Sequence, residues 1–191
     1  MKVWVYYEGD PRLRPGFRQL FRGFRDSARR AGGGIEFVAG EGTPWKSFYL
    51  GLSKHRDDRV LLLKDSEVVN FKPEKELAKS KFKFKAAHAK QIFWMVPCME
   101  SWFLSDPGLL DKCYGKSFQA AAIKQWPCVE TFATKRILHI LDAATSGRYH
   151  KTNGAPELLA GLNAGQLRKC APNFEKLCSY LESIYRQPEK Y

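Results

Sequence analysis

A chain of 191 residues, 44% hydrophobic and 27% charged, is ordinary for one globular domain with its own core and room for a small helical appendage. Lysine and arginine number 32 against 20 aspartates and glutamates, a formal net charge of +12, which draws such a chain to polyanions and above all to nucleic acid. No window approaches the run of about 18 apolar residues that a transmembrane helix needs, and the amino terminus lacks a signal peptide's apolar stretch, so a cytoplasmic protein with no membrane partner is expected.

The five cysteines (Cys98, Cys113, Cys128, Cys170 and Cys178) form no C-x-x-C pair, and the histidines do not fall at zinc-ligand spacing from them. They read as reduced thiols, mostly structural.

In chain order, Val3–Tyr7 is a run of β-formers that ends at Glu8-Gly9-Asp10, so a strand delivers an acid at its carboxyl end. Pro11–Ala31 reads as a helix with an apolar stripe of Phe17, Leu20, Phe21, Phe24, Ala28 and Ala31. Arg14, Arg18, Arg22, Arg25 and Arg29 recur at the same three- and four-residue spacing. At about 100° per residue they form a second ridge, of one sign only. Solvated helix faces usually alternate charges, so a single-sign ridge suggests a track for phosphates. Gly32-Gly33-Gly34 ends the helix, and no lysine or hydroxyl follows at P-loop spacing. Ile35–Ala39 is the second strand. Pro44–His55 is a helix whose core face is Trp45, Phe48, Tyr49 and Leu52.

The third strand, within Arg59–Glu67, is the stretch around which the rest is organised. Val60–Leu63 is short, aliphatic and followed at once by Lys64, Asp65 and Glu67, the mark of a buried parallel strand. Ligands of open α/β sheets gather outside the carboxyl ends of the strands. Residues two apart in extended backbone face the same side, so Asp65 and Glu67 are expected to face one ligand, with Glu8 converging from the neighbouring strand. Close carboxylates repel unless a cation lies between them, and hard oxygen ligands suit Mg²⁺ or Mn²⁺. The alternative is that these acids cap a helix or open a solvated loop.

Asn70–Lys90 interleaves Lys81, Lys83 and Lys85 with Phe82 and Phe84, a pattern that can hold phosphates while stacking bases. The alternative is a lysine-rich loop whose phenylalanines pack on the body. Gln91–Pro97 is a fourth strand, followed by Glu100, either a further metal-site carboxylate or a helix-start acid. From Asp106 the chain reads helical, with Leu109–Tyr114, Val129–Ala144, Pro156–Leu162, Ala164–Lys169 and Pro172–Tyr185 as helices. Ser146–Gly154 is a polar loop carrying Arg148, Tyr149, His150 and Lys151. His150 and Lys151, joined by Lys135, could donate to a scissile phosphate. The tail 187–191 is expected to fray.

A strand-end Glu8-Gly9 followed by a strand-end Asp65-Ser66-Glu67 resembles the Toprim domain, shared by topoisomerases, primases and the nucleases of the overcoming-lysogenization-defect group. The usual second motif there is Asp-x-Asp, and the longer arm of Glu67 is a departure. Cys98–Leu104 (CMESWFL) and Gly147–Lys151 (GRYHK) resemble the uncharacterised bacterial family DUF4276, a likeness that runs from Val3 to about Leu181. This resemblance implies a Toprim-like core and a frequent neighbouring ATPase in phage-defence operons, and no known reaction. It also favours Glu100 and the Gly147–Lys151 loop as site residues.

The expected fold is therefore α/β: a Toprim-like, mostly parallel sheet of about four strands with flanking helices over residues 1–105, and a helical extension over 106–191. Two functions are expected to compete. One is a Mg²⁺- or Mn²⁺-dependent nuclease acting in phage defence with an ATPase partner. Its ligands would be Glu8, Asp65 and Glu67, Glu100 a ligand or base, and its nucleic-acid contacts the arginine ridge, the lysines and Arg148. The other is a non-catalytic nucleic-acid-binding or adaptor subunit that regulates the ATPase.

Overall fold

The computed structural model describes residues 1–84, 86–123 and 126–185. Four strands, β1 (Lys2–Tyr7), β2 (Gly34–Ala39), β3 (Arg59–Asp65) and β4 (Ile92–Met95), form one parallel sheet in the order β2-β1-β3-β4. The Toprim-like α/β architecture expected from the sequence is present, with all four strands where the apolar runs lie. Alternation along the strands sends side chains to two faces. Val3, Val5, Tyr7, Ile35, Phe37, Leu61 and Leu63 enter one core; Tyr6, Val60, Leu62, Ile92 and Trp94 enter the other.

The first face is covered by α1 (Arg14–Leu20) and α2 (Arg22–Arg30), and by carboxyl-terminal helices: α6 (Pro107–Tyr114), α7 (Thr134–Ala144), α8 (Gly154–Gly161), α9 (Ala164–Cys170) and α10 (Pro172–Tyr185). Large aromatic side chains join these layers. Phe17 stacks on Phe37 with centroids 5.5 Å apart, and Phe174 meets Phe21 at 5.4 Å and Trp102 at 5.0 Å. The amino end of α10 is held by Glu130, whose buried carboxylate accepts from the Asn173 backbone at 3.0 Å and from its side-chain amide at 2.7 Å. The second face carries α3 (Pro44–Lys54), α4 (Pro73–Lys79) and α5 (Ala86–Ala89). Here Phe48 is fully buried and Trp45 meets Trp94.

Several expected elements differ in detail. The helix expected over Pro11–Ala31 is a 3₁₀ turn (Pro11–Leu13), then α1 and α2, broken where Phe21 leaves helical backbone at φ −96°, ψ 20°. The break lets Phe21 bury fully while α2 takes a new direction, and Ala31 lies past its end. Val129–Ala144 is likewise two elements, a 3₁₀ turn (Val129–Thr131) and α7, because Phe132 and Ala133 are extended. Tyr49, expected in the core, is 42% exposed. Asn70–Lys90, for which a lysine-rich loop is the alternative reading, holds α4 and α5. Residues 187–191 lie outside the described residues. All five cysteines are free, and no helix among the described residues is long and apolar enough to cross a membrane.

The closeness of α3 to the sheet is testable. A Cβ added at Gly51 would lie 2.5 Å from the Tyr6 ring, whose hydroxyl is tied to His55, whereas one at Gly23 would meet nothing within 4 Å. Urea unfolding of Gly51→Ala should show a loss of about 1–3 kcal/mol from overpacking. Gly23→Ala, in an exposed helical turn, should gain up to about 1 kcal/mol from reduced backbone freedom.

Candidate active site

The strand order sets the site. Tyr7 pairs with Leu63 and Asp65 with Met95, so β1, β3 and β4 end side by side. The ladder runs on past the strands: the Glu8 amide donates to the Leu63 carbonyl at 2.9 Å, and the Ser66 amide to Met95 at 3.0 Å. Each strand exit bears an acid: Glu8 after β1, Asp65 at the end of β3, and Glu100 two residues after Cys98, on the 3₁₀ helix Met99–Ser105 that follows β4.

Glu8 is half-buried. Its Oε2 accepts from the Asp65 amide at 3.1 Å and from Lys64 Nζ at 3.2 Å, while the same ammonium donates to the Asp65 carbonyl at 2.9 Å. Asp65 is buried, and its Oδ1 accepts from the Met99 amide at 3.0 Å. It thus caps the 3₁₀ turn that carries Glu100, a capping role like the alternative considered for these acids, directed at a different element. Burial, then the nearby Glu100 and Glu8 carboxylates, push Asp65 well above the usual carboxylate range.

Glu100 is 1% exposed. Its Oε1 accepts from Lys151 Nζ at 3.1 Å and from the Tyr149 hydroxyl at 3.4 Å. Its Oε2 is buried and has no hydrogen-bond partner among the described residues. Burial would lower the Lys151 ammonium, but Glu100, helped by Asp65 and Cys98, outweighs it and raises it. Cys98 and Tyr149 beside Glu100 are both pushed up, first by burial and then by Glu100, and stay protonated. Neither is a ready nucleophile.

The structure brings together Glu8, Asp65, Glu100 and Lys151 of the expected site. It corrects the place of Glu67. Strand β3 ends at Asp65, and Glu67 is exposed with φ +64°, so the two-residue alternation of extended backbone does not apply. The turn is fixed through its backbone: the Glu67 amide donates to the Pro97 carbonyl at 2.8 Å, and the Thr134 hydroxyl donates to the Glu67 carbonyl at 3.1 Å. No three of the Asp, Glu, His and Cys side chains stand close enough to hold a metal ion among the described residues. The expected ligand set of Glu8, Asp65 and Glu67 is therefore not assembled; Glu8 is turned onto Lys64. Lys135 is exposed on α7, next to Thr134, and His150 is exposed in the loop; no hydrogen bond or ion pair links either to the three acids among the described residues.

Sequence reasoning does not single out Lys64 or Tyr149. The register makes Lys64 findable, since it stands opposite Glu8 across the β1–β3 pair. Tyr149 carries no signal beyond its neighbours.

The basic surface is also revised. The arginine ridge is not of one sign: Arg18 pairs with Glu36 at 3.7 Å, and Asp26 lies between Arg22 at 3.8 Å and Arg29 at 3.2 Å. Arg25 is half-buried and donates to the Ile35 carbonyl at 3.3 Å. Phe82 stacks on Tyr49 at 5.1 Å, and Phe84 meets Phe48 at 5.5 Å and Trp45 at 5.8 Å, so these rings pack on the body. Lys81, Lys83 and Arg148 are exposed; Lys85 lies outside the described residues.

Residues 17–182 match the family described as "Domain of unknown function (DUF4276)". No curated protein matches the chain. Among solved structures, the C-terminal region of the Burkholderia pseudomallei OLD protein aligns with a TM-score of 0.53 at 15% identity, over 96% of this chain and 98% of that one. At that identity the likeness is one of fold.

The buried acids predict a pH dependence. A carboxyl raised in the folded state binds more protons there than when unfolded, so between its ordinary and raised values stability falls as pH rises. Asp65→Asn removes the charge but keeps an acceptor for Met99. Chemical denaturation should find Asp65→Asn more stable than wild type at neutral pH, with the gap narrowing as pH falls from the raised toward the ordinary carboxylate value. A gap independent of pH would show that burial and the neighbouring carboxylates do not raise Asp65.

Proposed function

The chain belongs to the family DUF4276 and has a Toprim-like fold, and from that premise we propose that it is a Mg²⁺- or Mn²⁺-dependent nuclease. One observation carries the reading: at an edge where three adjacent strand ends each bear a carboxylate, one oxygen, Glu100 Oε2, is buried without a partner among the described residues. Unpartnered buried charge is costly unless a ligand completes it. The donors are hard oxygens only, which fits these two ions, and withdrawal of the exposed Lys151 ammonium would open Glu100 to one of them. Glu8, Asp65 and Glu100 would hold the ion, with Glu67 at the rim. The bound ion would supply a water of lowered pKa and offset charge on the phosphodiester.

The chain's own residues do the rest. Lys151 and His150, on the polar loop, would donate to the scissile phosphate, and Lys135 would approach from α7. Lys81, Lys83 and Arg148, all exposed cations, would hold the nucleic-acid backbone, with the arginines of α1 and α2 adding a screened, partly paired contribution. We place the protein in phage defence beside an ATPase encoded nearby, as the family resemblance implies.

A specific observation favours a second reading, the non-catalytic nucleic-acid-binding or adaptor subunit. Lys64 and Lys151 already neutralise Glu8 and Glu100, so the acids are held without a metal.

A cleavage panel of tRNA, single-stranded and plasmid substrates with Mg²⁺ or Mn²⁺, with and without the ATPase, separates the two. Metal-dependent cleavage is expected in wild type and absent in Asp65→Asn, whose nucleic-acid affinity should be equal or higher because a negative charge is gone. Binding without cleavage under every condition selects the adaptor. In the same binding assays, changing Lys81 and Lys83 to alanine should lower the slope of log affinity against log salt by about one for each phosphate that these lysines neutralise. An unchanged slope would remove them from the interface.

A further inference from the structure

Two lysines hold the acids, and they are held very differently. The Lys64 side chain is 12% exposed; its ammonium touches Glu8 and the Asp65 carbonyl and lies 6.0 Å from the Trp94 ring centroid. It is a fixed part of the sheet edge. The Lys151 side chain is 64% exposed, and its one ion pair among the described residues is to Glu100 Oε1. Water can replace the pair for the exposed Lys151 head but not for the buried Glu100 carboxylate, so release of the lysine needs a second cation to take its place.

The loop around Lys151 is anchored on both sides without using that side chain. The Gly147 amide donates to the Asp142 carbonyl at 2.8 Å, the Tyr149 amide to the Thr145 hydroxyl at 3.0 Å, and the Gly154 amide to the His150 carbonyl at 2.8 Å. The Tyr149 ring packs against Phe103. Lys151 can therefore swing away while the loop backbone stays in place. What it would leave behind is a buried carboxylate with one oxygen already unpartnered among the described residues, beside Asp65.

We propose that Lys151 is an internal counter-ion that a divalent cation displaces: in the metal-free protein its ammonium occupies the cation position at Glu100, and metal binding releases it to the surface as a phosphate-binding group. This rests on the metal reading of the site and adds its regulation. Metal loading and phosphate capture become one linked event, since the cation that fills the acids frees the positive charge that meets the substrate. Lysine and metal compete for one carboxylate, so each lowers the other's occupancy by the same factor. The same competition accounts for Glu100 being held by a lysine and not gathered into a ligand set with its neighbours.

The test measures Mg²⁺ and Mn²⁺ affinity by calorimetry in wild type, Lys151→Gln and Arg148→Gln. Arg148→Gln removes the same charge from the same exposed loop at a residue that is not bonded to Glu100. Lys151→Gln should bind metal at least about fivefold tighter, the low end of ordinary coupling, and Arg148→Gln within about twofold of wild type. A second measurement uses the wild type alone: acylation of individual lysines followed by mass spectrometry, with and without saturating Mg²⁺. Lys151 should label faster with metal, and Lys64 should not. Wild-type-like metal affinity in Lys151→Gln, equal gains in both variants, or Lys151 labelling indifferent to metal would overturn the exchange while leaving a metal site standing. Failure of every form to bind metal would overturn the exchange and the metal reading together.

Discussion

The site depends on the parallel pairing of β1, β3 and β4, which forces three acids to leave the sheet at one edge. Glu8 reaches across to the backbone amide of Asp65, and Asp65 reaches across to the amide of Met99. These two carboxylates thus each fix the exit of the next strand. The constraint is electrostatic as well as geometric, because three carboxylates at a half-buried edge repel one another. Lys64 and Lys151 relieve two of them, and Asp65 bears the remainder as a raised proton affinity.

The rest of the fold supports this edge. Trp102 and Phe103 anchor the 3₁₀ helix of Glu100 in the main core, and Phe174 of α10 closes on Trp102. The polar loop is placed by α7 and α8, which both pack on the 3₁₀ helix Met99–Ser105 and so bring Lys151 over Glu100. The carboxyl-terminal helices and the strands contribute to one continuous core, so the loop and the acids share a common rigid support.

Much of this is legible in the sequence. Four short apolar runs mark the strands, and acids at the ends of β1 and β3 mark the edge. Glu100 is read after the fourth strand and Lys151 in the polar loop, both favoured further by the family resemblance, and they are the pair that the structure joins. The place of Glu67 is not legible, because nothing in Asp65-Ser66-Glu67 signals that a non-glycine residue takes a positive φ there. The arginine ridge misleads on two counts: Asp26, legible at helical spacing from Arg22 and Arg29, neutralises part of it, and Glu36, the partner of Arg18, sits on the next strand, out of reach of any helical periodicity. Phe82 and Phe84 mislead because a basic-aromatic alternation looks the same whether the rings meet bases or, as here, Tyr49, Phe48 and Trp45.

If Glu8, Asp65 and Glu100 make one cation site, as we propose, the most direct test is a crystal structure grown with Mn²⁺, with anomalous scattering locating the ion. One strong peak is predicted, bonded to Asp65 and Glu100, with Glu8 completing the set directly or through water. A saturating Mn²⁺ crystal with no peak at this edge, or with peaks elsewhere only, would contradict it.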